Sequence, residues 1–156
     1  MHAKFRWNAN IPKALRQGHD ELRAELLRAT MEPGPIGEAA ERVAALCLPH
    51  FEHEEIAVFP IFGLLDDLVV GEVRPEMIEI LPFIAAFKTR QQAIESNHQE
   101  ITTAVTALMH AAHIEKNIEY GALVHSLKNH ERLEDEVIFP AVTLMGKYIS
   151  ARLGID

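Results

Sequence analysis

The chain has 156 residues, nearly half of them hydrophobic and a quarter charged, which suits one globular domain over 1–156 and excludes a disordered chain. Its formal charge is −8, with no block of Lys or Arg, which argues against nucleic acid and against anionic membrane surfaces. A single cysteine, Cys47, rules out an internal disulfide, Met1 to Asn10 lack an apolar leader, and no window is apolar for long enough to span a bilayer, so the expectation is a soluble cytoplasmic domain.

Asn10-Ile11-Pro12 opens the first predicted helix, with Asn10 as its cap and Pro12 tolerated in the first turn. Ile11, Leu15, His19, Leu22 and Leu26 recur at helical spacing until Glu32-Pro33-Gly34-Pro35 breaks the segment. The second predicted helix runs from about Ile36 into the mid-sixties along the seam Ile36, Ala40, Val43, Cys47, His50, Glu54, Ala57, Ile61, Leu64. Pro49 should kink it, and Pro60 should bend or end its last turns. Asp66-Asp67 to Gly71 reads as a connection, and Pro75 and Pro82 imply a short helix or kink before the third long helix. That helix has the seam Ile84, Phe87, Gln91, Ile94, His98, Ile101, Val105, Leu108 and should end near His113. The fourth starts around Ile118 and follows Leu123, Leu127, His130, Glu134, Val137, Ala141, Leu144, Tyr148, with a kink at Pro140. No stretch alternates as a strand would. The fold class is all-α, an antiparallel up-down four-helix bundle with its core over about 11–148.

One stretch occurs twice. His50-Phe51-Glu52-His53-Glu54-Glu55-Ile56-Ala57-Val58-Phe59-Pro60 is matched by His130-Glu131-Arg132-Leu133-Glu134-Asp135-Glu136-Val137-Ile138-Phe139-Pro140. Each copy reads His-x-x-x-Glu, a second acid, then an apolar run closed by Phe-Pro. Residues four apart on a helix lie about 40° from each other around the axis, so imidazole and carboxylate share a face. His19 and His98 stand on the seams of the other two helices, giving one inward histidine per helix. Two buried carboxylates without compensation would be very unfavourable, whereas two cations between them remove that cost and use the imidazoles as well. Such mixed nitrogen and oxygen ligation suits iron, manganese or zinc.

This pattern resembles the hemerythrin-like, or HHE cation-binding, domain, over roughly Ile11 to Leu144. The resemblance implies an oxo- or hydroxo-bridged non-haem di-iron centre. His19 and His50 would serve one iron and His98 and His130 the other, with Glu54 and Glu134 bridging. The oxygen carriers of that family have two histidines four apart on the third helix, but Ile94 and Thr102 flank His98 at those spacings. They also have a longer spacing to an aspartate on the last helix. Both departures place the chain among hemerythrin-like relatives rather than simple oxygen carriers. Glu95, one turn before His98, or water would fill the missing ligand position.

Glu55 and Asp135 lie about 100° beyond the bridging residues and are read as solvated or as supporting groups. His53 is read as surface or supporting, His110, His113 and His125 as surface, and Cys47 as a small core residue with a redox role left open. The leading functional expectation is binding of oxygen, peroxide or nitric oxide for sensing, storage or detoxification. A di-iron redox enzyme (peroxide dismutation, or nitric-oxide and iron–sulfur-repair chemistry) is the alternative, and a metal-stabilised interaction module the third.

Overall fold

The computed structural model describes residues 10–155, so most of the N-terminal stretch read as leaderless lies outside it. Every element is helical, with no strand among the described residues. Helix α1 spans Lys13–Thr30, α2 Pro35–Ala57, α3 Leu65–Val69, α4 Leu81–Ile114, α5 Ile118–Leu133 and α6 Phe139–Leu153. Tight 3-10 turns occupy Phe59–Leu64 and Pro75–Ile80, and a widened π turn, Glu134–Ile138, joins α5 to α6. Helix α2 packs against α1 and α4, and α5 against α4 and α1, so the four long segments close a ring consistent with a helical bundle.

The helix ends follow their local chemistry. Asn10 does not cap α1, which begins behind Pro12 without any side-chain cap; the Pro12 carbonyl accepts from the Leu15 amide at 3.1 Å instead. Helix α2 continues through Pro49 but stops at Ala57 rather than in the mid-sixties, because Pro60 has no N–H and crowds the preceding turn. Asn117 caps α5 through the Tyr120 amide, and the Tyr120 hydroxyl donates to Glu32 at 2.7 Å, tying α5 to the α1–α2 connection. In the first turn of α2 Gly37 leaves no room for a Cβ, whose place is taken by the Glu32 carbonyl of that connection. Gly37→Ala is therefore expected to destabilise the fold by about 1–3 kcal/mol, read as a lower denaturation midpoint at unchanged slope.

The π turn moves the seam of the last helix. The Phe139 amide reaches back five residues to the Glu134 carbonyl, which inserts one extra residue into the turn. Downstream of it the inward positions are Phe139, Val142, Met145 and Ile149, while Val137 and Leu144, expected on the seam, are exposed. A single extra residue is enough to rotate the apolar face by one position.

The core is in two parts. One apolar cluster gathers residues from Leu22 to Phe51 with Ile101 to Leu127, and the other gathers Val58 to Phe87 with Ile94 and Phe139 to Ile149. On every long segment an inward polar residue falls between the stretches that feed the two clusters: His19, His50 and Glu54, His98, and His130 and Glu134. The bundle thus carries a polar layer between two apolar ones.

Candidate metal centre

All six of these side chains meet in the polar layer. His19, His50, Glu54, His98 and Glu134 are buried, and His130 is half-buried. They form two groups, His19–Glu54–His130–Glu134 and His50–Glu54–His98–Glu134, within each of which the potential ligand atoms lie within 4.8 Å of one another. Both carboxylates belong to both groups. The pairing of histidines differs from the one the family resemblance implied. His19 Nε2 stands 3.0 Å from His130 Nε2, and His50 Nε2 stands 3.0 Å from His98 Nε2. Chain order does not specify the pairing, since α1 packs against both α2 and α5, and α2 against both α1 and α4.

The carboxylate oxygens are close to nitrogen on every side but hydrogen-bonded to none. His130 Nε2 is 2.6 Å from Glu134 Oε1, His98 Nε2 is 3.3 Å from Glu134 Oε2, and His19 Nε2 is 3.4 Å from Glu54 Oε2. Yet all four oxygens of Glu54 and Glu134 are buried without a partner in hydrogen-bond geometry. Buried carboxylate oxygens without aligned donors are costly on their own, and a cation among them would remove that cost.

The outer nitrogens of two imidazoles are held. Glu55 Oε1 lies 3.0 Å from His19 Nδ1, and Asp135 Oδ1 lies 3.0 Å from His98 Nδ1. A carboxylate on Nδ1 fixes the tautomer with Nε2 free and makes that nitrogen a better donor to a metal. Glu55 is itself held by Arg23 at 2.8 Å. The Phe of each copy walls the same histidine: Phe59 lies 4.7 Å from His19 and Phe139 5.8 Å from His98, centroid to centroid. Glu55→Ala or Asp135→Ala is expected to weaken metal binding about 10- to 100-fold while leaving helix content unchanged, as read by metal titration alongside circular dichroism.

Burial and charge act against each other here. Burial alone would lower the His19 and His98 pKa values, but the surrounding carboxylates, Glu134 foremost, raise both to about 9. Burial pushes the Glu54 carboxyl up to about 7. Burial also acts to raise Glu134, but the four imidazoles around it hold its carboxyl well below the usual carboxylate range. Burial pushes the Cys47 thiol up to about 12, so it is a packed, protonated thiol.

Other sequence candidates fall elsewhere. Glu95 is exposed, accepts from Gln91 Nε2 at 3.1 Å and stands outside both groups. His110, His113 and His125 are exposed, as expected, and His53 is half-buried outside both groups. Glu131 was not singled out from the sequence, although it follows His130 directly; it is half-buried, and burial pushes its carboxyl up. The shared offset of Phe59 and Phe139 in the two copies was the available signal for their walling role.

The donor set fits metal ions. Two bonds of about 2.1 Å meeting near a right angle separate their donor atoms by about 3.0 Å, which is the spacing of both Nε2 pairs. The protein is thus an all-helical chain with buried His/Glu groups, each able to hold a metal ion. No helix among the described residues is long and apolar enough to cross a membrane. No protein-family model, curated protein or solved structure matches the chain.

Proposed function

We propose that the chain is a hemerythrin-like protein, an antiparallel up-down bundle holding two iron ions, that binds oxygen, peroxide or nitric oxide for sensing, storage or detoxification. One observation carries this reading: four buried carboxylate oxygens without hydrogen-bond partners, ringed by four imidazole nitrogens, in two groups that share both carboxylates. In it, His19 and His130 would hold one ion and His50 and His98 the other, with Glu54 and Glu134 available to both. Manganese or zinc would satisfy the same donors less specifically. When bound, the ions supply Lewis acidity and electron exchange toward a small ligand.

The chain's own residues do the rest. Glu55 and Asp135 orient His19 and His98, while Phe51, stacked 4.4 Å from His19, and Phe59 keep water from that side. Access exists on the other. A cavity of about 340 Å³ between α2 and α4 is lined by His50, Ile94 and Pro49, with His53 and Arg90 beside them. Pro49 lacks the N–H that the Ala45 carbonyl would receive, and both residues line this opening.

The test is elemental analysis of the purified chain, with an absorption spectrum taken in air and after reduction. Two irons per chain and a charge-transfer band that bleaches on reduction support the reading. One zinc, or no metal with helix content intact, would sink it. Catalytic consumption of peroxide by the two-iron form would turn the assignment toward an enzyme, and reversible oxygen binding without turnover toward carriage or sensing.

A further inference from the structure

One carboxylate beside the centre has no task in this scheme. Glu131 Oε2 accepts a hydrogen bond from Thr102 Oγ1 on α4 at 2.9 Å. Its Oε1 is sealed from solvent and has no hydrogen-bond partner. A buried oxygen left without a partner is unfavourable, more so when charged. Thr102 lies one turn beyond His98, which puts Glu131 on the His98 face of α4. Glu131 is in electrostatic reach of His98, Glu134 and His50, and it lines a cavity of about 420 Å³ together with His98, Thr102, Asp135 and the exposed Glu95. Its neighbours are therefore those of the His50–His98 group.

We propose that Glu131 is a further metal-site residue, a carboxylate ligand to the ion held by His50 and His98. The inference rests on the two-ion reading above. Each group of four donors is two imidazoles and two shared carboxylates, which leaves room for more oxygen in the coordination shell of iron or manganese. Thr102 holds the Glu131 carboxylate outside the two gathered groups, so ligation by Oε1 would require the Glu131 side chain to turn toward His98. The two positions are then unequal. Among the described residues, the one at His19 is walled by two rings, Phe51 and Phe59, while the one at His98 is walled by Phe139 alone and carries an extra anionic oxygen beside an open cavity.

The test is a cobalt(II) titration of the chelator-stripped full chain, following visible absorption and heat for each equivalent. It is run on the wild type, Glu131→Gln, His98→Ala and the double variant. The wild type should take up two equivalents. Glu131→Gln, which keeps the size and the Thr102 contact, should weaken one equivalent about 10- to 100-fold and spare the other. In the His98→Ala background the same change should add nothing, because the position it serves is already lost. Thr102→Val, which keeps the carboxylate, should shift the affinity of that same equivalent only and serves if Glu131→Gln folds poorly. Equal weakening of both equivalents, no weakening, or a loss that persists undiminished beside His98→Ala would overturn the proposal. A wild type that takes up fewer than two equivalents would overturn the two-ion reading, and this inference with it.

Discussion

Glu134→Gln and Glu54→Gln are each expected to strip both metal positions, not one. Each carboxylate belongs to both groups, so either change removes an anionic donor from two ions at once. Taking one partner from a buried charged cluster costs about 3–5 kcal/mol, or an affinity loss of about 150- to 4000-fold per ion. In the chelator-stripped protein the two variants should part company. Glu134 is favoured in its charged form by four imidazoles, so Glu134→Gln should destabilise by a similar about 3–5 kcal/mol. Glu54 is disfavoured in its charged form, its carboxyl held up to about 7, so Glu54→Gln should be neutral or stabilising at neutral pH. Elemental analysis of the variants and denaturant titration in chelator read the two effects separately. Full metal content in either variant would break the assignment of shared carboxylates.

The duplicated stretch acquires a reason from the geometry. Each copy contributes its own histidine, a shared carboxylate, an acid that orients a histidine on another helix, and a phenylalanine that walls that same histidine. The copy on α2 serves His19, whose site partner is His130 of the other copy. The copy beginning on α5 serves His98, whose site partner is His50 of the first. Neither copy can complete a group alone. The two are interlocked, and a substitution in one is felt at both positions.

The helices and the inward polar residues were legible because each depends on local periodicity. His19, His50, His98 and His130 interrupt apolar seams, and a four-residue step brings Glu54 and Glu134 onto the face of their histidines. The histidine pairing was not legible, because each helix has two neighbours in the ring and spacing along the chain does not say toward which one its imidazole turns. The exposed Val137 and Leu144 were missed for a different reason. Pro140 announces a missing backbone donor but not whether the chain answers with a kink or with an inserted residue, and here it inserts one. Glu131 escaped notice because spacing places it on the edge of the seam, and only the structure shows its Oε1 sealed from solvent beside the neighbouring α4.

Removing the metal should also give the protein a pH dependence that the loaded form lacks. His19 and His98 have folded pKa values raised from 6.5 to about 9. Their contribution to stability is full below about pH 6.5 and is lost as pH rises through about 9, by about 3 kcal/mol each at most. Glu54, raised from 4.5 to about 7, acts in the same direction, since its neutral form is the favoured one and ionising it costs stability as pH rises through about 7. Glu134 acts oppositely, stabilising above the ordinary carboxylate range and losing that contribution in acid. The stripped protein should therefore be most stable in mildly acid solution and weaken by about 3–6 kcal/mol toward pH 9, the shared partners making the terms less than additive. Bound ions need neutral imidazoles and ionised carboxylates, so they must displace those same protons. Metal affinity should then rise with pH over the window in which the stripped protein weakens, and the stability of the loaded protein should hold level there. Denaturation midpoints of both forms from about pH 5 to 9.5, with proton release measured on metal addition, check this. A stripped protein as stable at pH 9 as at pH 6 would mean that the imidazoles are not held in their charged form by Glu134, and the electrostatic account of the polar layer would fall.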